Sequence, residues 1–125
     1  EDQDDDNFIF MQNGGPAGIY CADETDGEAL RVCEQITEPL LAYEVGGTAV
    51  VPSLAASWTA SEDGLTWTFD LRDATFHDGS AFDANDVVMS YAVQWDAANP
   101  LHVGRDGSFS YWTYLFKAFL NPPAA

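Results

Sequence analysis

From Leu65 to Arg72 the chain alternates without a break. Leu65, Trp67, Phe69 and Leu71 fall on one side of an extended backbone, and Thr66, Thr68, Asp70 and Arg72 on the other. Successive strand side chains point to opposite faces, so this order predicts a strand with one buried face and one wet face. Turn sequences bracket it: Ser61-Glu62-Asp63-Gly64 before, His77-Asp78-Gly79-Ser80 after. Ahead of the first turn, Pro52 is expected to open a short helical turn over residues 53–58, followed by the partner strand. Beyond the second turn, Asp83 with Asp86 three residues on marks the start of a helix. Val87, Val88, Tyr91, Ala92 and Trp95 form the apolar stripe of that helix.

The flanking segments are less regular. Phe8-Ile9-Phe10-Met11 is a short apolar run that reads as a buried strand. Residues 13–18, rich in glycine, form a flexible turn-prone stretch. Thr25 and Glu28 stand at capping-box spacing for a helix starting near Asp26, with Ala29, Cys33, Ile36 and Leu40 on one face and Val32 beside them. Pro39 lacks an amide donor and crowds the turn before it, so the helix is expected to stop near Thr37. Gly46-Gly47 then releases the chain. Asn99-Pro100 closes the later helix, residues 102–108 read as loop, and Tyr111, Trp112, Tyr114, Leu115, Phe116, Phe119 and Leu120 make an aromatic segment of helical character.

Charge narrows the function classes. The 125 residues carry 4 basic side chains against 21 acidic ones, a formal net charge of −17. Such a chain repels phosphate backbones, which argues against nucleic-acid binding. Residues 1–7 read as a disordered, self-repelling acidic leader; they lack the alternating spacing of a calcium loop. No apolar run is long enough to span a bilayer. His77 and His102 have no partners at metal-ligand spacing, and no nucleophile elbow occurs. Glu62 and Asp63 are adjacent in a turn, a poor arrangement for flanking a scissile glycosidic bond. These residues suggest no enzyme, no cofactor and no metal. Cys21 and Cys33 leave two readings open: a disulfide if the chain is secreted, or a buried thiol, since Cys33 lies on the apolar helix face. Trp58, Trp67 and Trp95 fit core stripes better than stacking platforms for sugars.

Taken in order, Pro52, Leu54-Ala55-Ala56-Ser57-Trp58, residues 63–72, residues 76–79 and Phe82-Asp83-Ala84-Asn85-Asp86-Val87 closely resemble a known pattern. It is that of the bacterial extracellular solute-binding proteins of family 5, the peptide, dipeptide and nickel type serving ABC importers. The resemblance implies an α/β, periplasmic-binding-protein-like fold (cluster C, type II). Only the start of the first lobe (residues 8–48) and an extra α+β subdomain (residues 49–125) are expected here. It implies capture of a small peptide or similar solute outside the membrane and delivery to the importer's membrane subunits. The remainder of the protein's own chain is the further partner implied, with a secreted, periplasmic or cell-surface location and an N-terminal lipid tether. In the family, the loop after the first strand often carries leucine-aspartate-proline and borders the ligand cleft. Here Ile19-Tyr20-Cys21 stands at that triplet, without the aspartate and the proline. Gly15, Tyr20 and Cys21 are accordingly the candidate ligand contacts; glycines let the backbone approach a solute closely. The competing reading is a structural or assembly module, because a piece with an open sheet edge and an apolar patch tends to associate. A carbohydrate-active enzyme would need a carboxylate pair of perturbed acidity in a cleft.

Overall fold

Asp26 opens the first helix of the computed structural model, which describes residues 9–116. The acidic leader, Phe8, Phe119 and Leu120 lie outside the described residues. Helix α1 spans Gly27–Ile36, and the Asp26 carboxylate accepts a hydrogen bond from the Ala29 amide at 3.0 Å. The cap is therefore Asp26 and not Thr25: its backbone is extended, and its short side chain reaches the N3 donor. The helix stops where Pro39 requires. Thr37 closes it, with both its amide (2.9 Å) and its hydroxyl (2.7 Å) donating to the Cys33 carbonyl.

Two antiparallel hairpins follow. Strands β1 (Leu41–Tyr43) and β2 (Val50–Pro52) pair in the register Leu41 with Pro52 and Tyr43 with Val50. The next strand, β3 (Ala55–Ala60), replaces the helical turn expected over residues 53–58. The backbone donors explain the difference. Ser53 and Ala55 donate to the Leu40 carbonyl (3.3 and 2.9 Å) and Leu54 to that of Pro39 (3.1 Å). With those amides committed to a neighbouring segment, the chain leaves the corner extended. β3 then pairs with β4 (Trp67–Leu71), Trp58 facing Phe69 and Ala60 facing Trp67, with an irregularity between Ala55 and Ser57.

The reversal between β3 and β4 falls on residues 61–64, where the Gly64 amide donates to the Ser61 carbonyl at 2.9 Å. The Asp63 carboxylate there accepts from the Leu65 amide at 3.0 Å. The strand and its sidedness agree with the alternation, but the expected burial does not. Leu65 is 84% exposed and Trp67 55%, while Phe69 and Leu71 are half-buried. No second layer covers that face among the described residues, so alternation sets the side without supplying the cover. Ile9, Phe10 and Met11 are likewise exposed and form no strand, because no ladder partner lies beside them among the described residues.

Helix α2 (Ala84–Trp95) starts as its sequence predicts. Asp83 accepts from the Asn85 amide at 2.6 Å, and Asp86 accepts from the Asp83 amide at 2.7 Å, completing a reciprocal capping box. It ends at Trp95, ahead of Asn99-Pro100. Val93 is its buried residue, and Val87 and Ala92 are half-buried; Val88, Tyr91 and Trp95 stay largely open. Tyr91 nevertheless meets Trp112 edge-on at 5.6 Å, joining α2 to helix α3 (Ser110–Phe116). The small core comprises Ala29, Cys33, Ala55, Val93, Phe109 and Trp112.

Candidate functional site

The stretch singled out as solute-facing, residues 13–21, leads into a 3-10 turn at Cys21–Asp23. The three candidate contacts have different surroundings. Gly15 is exposed, with open space where a side chain would project. The Tyr20 ring packs edge-on against Phe109 at 6.3 Å, and its hydroxyl donates to the Leu101 carbonyl at 3.1 Å. The Cys21 sulfur is bonded to that of Cys33, which decides between disulfide and buried thiol in favour of the bridge. Just upstream, the buried Gln12 Oε1 has no hydrogen-bond partner among the described residues.

Next to this stretch the structure places two acidic residues that no periodicity marked. Asp23 is 2% exposed and Glu24 is 1% exposed. Asp23 Oδ2 accepts from the amides of Asp106 and Gly107, each at 2.8 Å, and Oδ1 accepts from the Phe109 amide at 2.7 Å. Burial pushes the Asp23 carboxyl up. The backbone N–H groups of Asp106, Phe109, Gly107 and Arg105 more than offset it and hold the group below its ordinary value of 3.8. Glu24 takes both of its bonds from Arg105 Nε, at 3.1 and 3.0 Å. The buried carboxylate is thus matched by a guanidinium, as a buried charge requires. Two glycines make room. A Cβ at Gly104, whose φ is +35°, would overlap the Asp23 carboxylate, and one at Gly18 would overlap Glu24 Oε1.

The two histidines have structural surroundings. His102 Nδ1 lies 2.7 Å from the Val93 carbonyl, which can only accept, so this nitrogen carries the proton. It satisfies a carbonyl in the last turn of α2, and its ring stacks on Phe109 at 4.3 Å. His77 is exposed in its turn. An open groove of about 840 Å³ lies elsewhere, between the end of α1, the end of β4 and the start of α2; Ile36, Glu38, Arg72, Phe76, Phe82 and Asp86 are on its walls. The Arg72–Glu38 ion pair is part of its lining, and that hydrogen bond, with one from Ser53, lowers the Glu38 pKa. Among the described residues no group of three or more His, Cys, Asp or Glu side chains is placed to hold a metal ion. No helix there is long and apolar enough to cross a membrane.

The arrangement of hairpins and capped helices is that of part of a periplasmic binding protein. The model of "Bacterial extracellular solute-binding proteins, family 5 Middle" matches residues 49–109. Di/tripeptide-binding protein 1 of Pseudomonas aeruginosa is 36% identical over 115 residues, covering 86% of this chain and 21% of the relative. The nickel-binding periplasmic protein of Escherichia coli is 47% identical over 62 residues, 49% of this chain and 12% of its own length. Among solved structures, the ABC transporter-associated periplasmic binding protein DppA from Helicobacter pylori, in complex with peptide STSA, superposes with a TM-score of 0.68. It shares 31% identity over 78% of this chain and 20% of its own. The chain belongs to family 5 of the bacterial extracellular solute-binding proteins. It spans about a fifth of the length of the di/tripeptide-binding relative and of the solved structure.

Proposed function

We propose that this chain is part of an extracytoplasmic protein that captures a small peptide and delivers it to the membrane subunits of an ABC importer. The observation that carries this reading is the match, at 31% identity and a TM-score of 0.68, to a periplasmic binding protein solved with a peptide bound. The di/tripeptide-binding relative points the same way, and the nickel-binding relative marks the breadth of solutes in the family. In this reading the protein works by binding and not by catalysis. Residues 8–48 begin the first lobe, and residues 49–125 belong to an extra subdomain. A lipid ahead of the acidic residues 1–7 tethers the protein at the cell surface.

Residues 13–21 form one border of the solute cleft. Gly15 offers an approachable backbone, Tyr20 an aromatic ring fixed on one side, and Cys21 a backbone held by its disulfide. The buried Gln12 Oε1 at the entry to this stretch, without a partner among the described residues, supports the assignment, since a buried acceptor without a donor is a costly feature unless something completes it. The rest of the protein's own chain covers the open β3–β4 face.

An assembly module remains the second reading, favoured by that same exposed face of Leu65 and Trp67. Calorimetry with di-, tri- and tetrapeptides on the complete polypeptide and on the 125 residues alone separates the two. The transport reading predicts peptide binding by the complete protein and loss of most of the affinity in the short chain. An absence of peptide binding by the complete protein, together with self-association of the short chain, would overturn it.

A further inference from the structure

Residues 18–24 and residues 101–109 are far apart in sequence, yet they are held together by a set of polar contacts with one group at its centre. The Asp23 carboxylate gathers the amides of Asp106, Gly107 and Phe109. Beside it Glu24 holds Arg105, and Arg105 also lies 3.5 Å from the Asp106 carboxylate. The Phe109 backbone has a φ of 42°, which no other non-glycine residue among those described shares. A bulky residue in the left-handed region is strained, and such strain persists only where the surroundings over-determine it. Here the surroundings are identifiable. The amide of Phe109 is fixed by Asp23, and its ring is 1% exposed between Tyr20 and His102. Tyr20 in turn is oriented by that ring and by the Leu101 carbonyl.

We propose that Asp23 is a positioning residue for solute binding: through Phe109 it sets the orientation of Tyr20 and holds residues 104–109 as a second wall beside residues 13–21. The inference rests on the reading of residues 13–21 as a cleft border. The Cys21–Cys33 bridge anchors the turn that carries Asp23 to α1, so the positioning group is itself attached to a helix. Asp23 touches no solute in this scheme and acts by fixing the backbone of the loop across from it.

The test uses the complete polypeptide that carries this chain, with the tetrapeptide Ser-Thr-Ser-Ala as probe. Asp23→Asn, Tyr20→Ala and the double variant are compared by calorimetry, together with hydrogen exchange of the amides of residues 106, 107 and 109. The expected results for Asp23→Asn are faster exchange at those amides, by about tenfold or more, unchanged exchange in β3 and β4, and weaker peptide binding by about tenfold. In the Tyr20→Ala background Asp23→Asn adds a smaller loss than in the unsubstituted protein, because the part of its effect that runs through Tyr20 is already gone. Unchanged affinity in Asp23→Asn, or fully additive losses in the double variant, would overturn the proposal. If Asp23→Asn does not fold, Phe109→Leu takes its place: it removes the ring contact to Tyr20 while keeping an apolar filler, and the same affinity outcomes decide. If the unsubstituted protein binds no peptide, the cleft reading has failed separately. The positioning claim is then decided by the Tyr20 ring resonances, which shift in Asp23→Asn if it is right and stay in place if it is wrong.

Discussion

The corner around Asp23 and the β3–β4 hairpin are built on opposite principles. The hairpin is local: a tight turn, a short ladder and an alternating strand within residues 55–71. Its apolar face is the strongest pattern in the chain, and half of it is open to water. The corner draws on residues more than eighty positions apart. It has little apolar patterning, and yet it contains the buried acids, the disulfide and a strained phenylalanine. Local pattern tells which way side chains point. Burial depends on which other layer is present, and polar contacts between distant segments can complete a region whose sequence looks like loop.

If this contrast is right, changes at the corner cost this chain more than changes on the hairpin face. The largest expected effect is loss of the disulfide: Cys33→Ser should lower stability by about 3 kcal/mol, read from urea unfolding, since the bridge constrains a short loop of the unfolded chain. A loss no larger than that of a surface substitution would break the comparison. Asp23→Ala comes next, at about 2–3 kcal/mol, because it leaves three backbone donors without their acceptor.

The corner should also be acid-sensitive, with a sign fixed by the lowered pKa of Asp23. Its contribution is complete above the unfolded carboxyl value and is lost as pH falls through the lower folded value. An Asp23→Asn variant should therefore show a shallower acid limb in a stability–pH series. An identical limb would remove Asp23 from the account. At α2, Asp83→Ala should cost about 1 kcal/mol, measured by thermal or urea unfolding, through loss of the capping box. The smallest effect is expected on the hairpin face. Trp67→Ala should cost this chain about 1 kcal/mol or less, and the cost should rise toward about 3–5 kcal/mol once a covering layer is present.

The elements that were legible in the sequence are those whose information is local. Asp83 and Asp86 give the start of α2, Pro39 and Thr37 the stop of α1, and residues 65–71 the sidedness of β4. The β1–β2 hairpin was missed because three-residue strands are too short to show a period. The partner strand is expected only after a helical turn over residues 53–58, yet it already begins at Ala55, because its extended start is imposed by the carbonyls of Pro39 and Leu40 and not by its own composition. Of the candidate site, the family resemblance offered Gly15, Tyr20 and Cys21, and the sequence left the Cys21–Cys33 bridge open beside a buried thiol until the fold joined the two sulfurs. Asp23, Glu24 and Arg105 could not be named from sequence: in an acidic chain two more acids carry no signal, and only the fold brings Arg105 and the 106–109 amides onto them.

The most direct test of this contrast is urea unfolding of Asp23→Ala and Trp67→Ala side by side in the 125-residue chain. The prediction is a clearly larger loss for Asp23→Ala, by about 1 kcal/mol or more. A loss for Trp67→Ala that equals or exceeds it would mean that the hairpin face, and not the polar corner, holds this chain together.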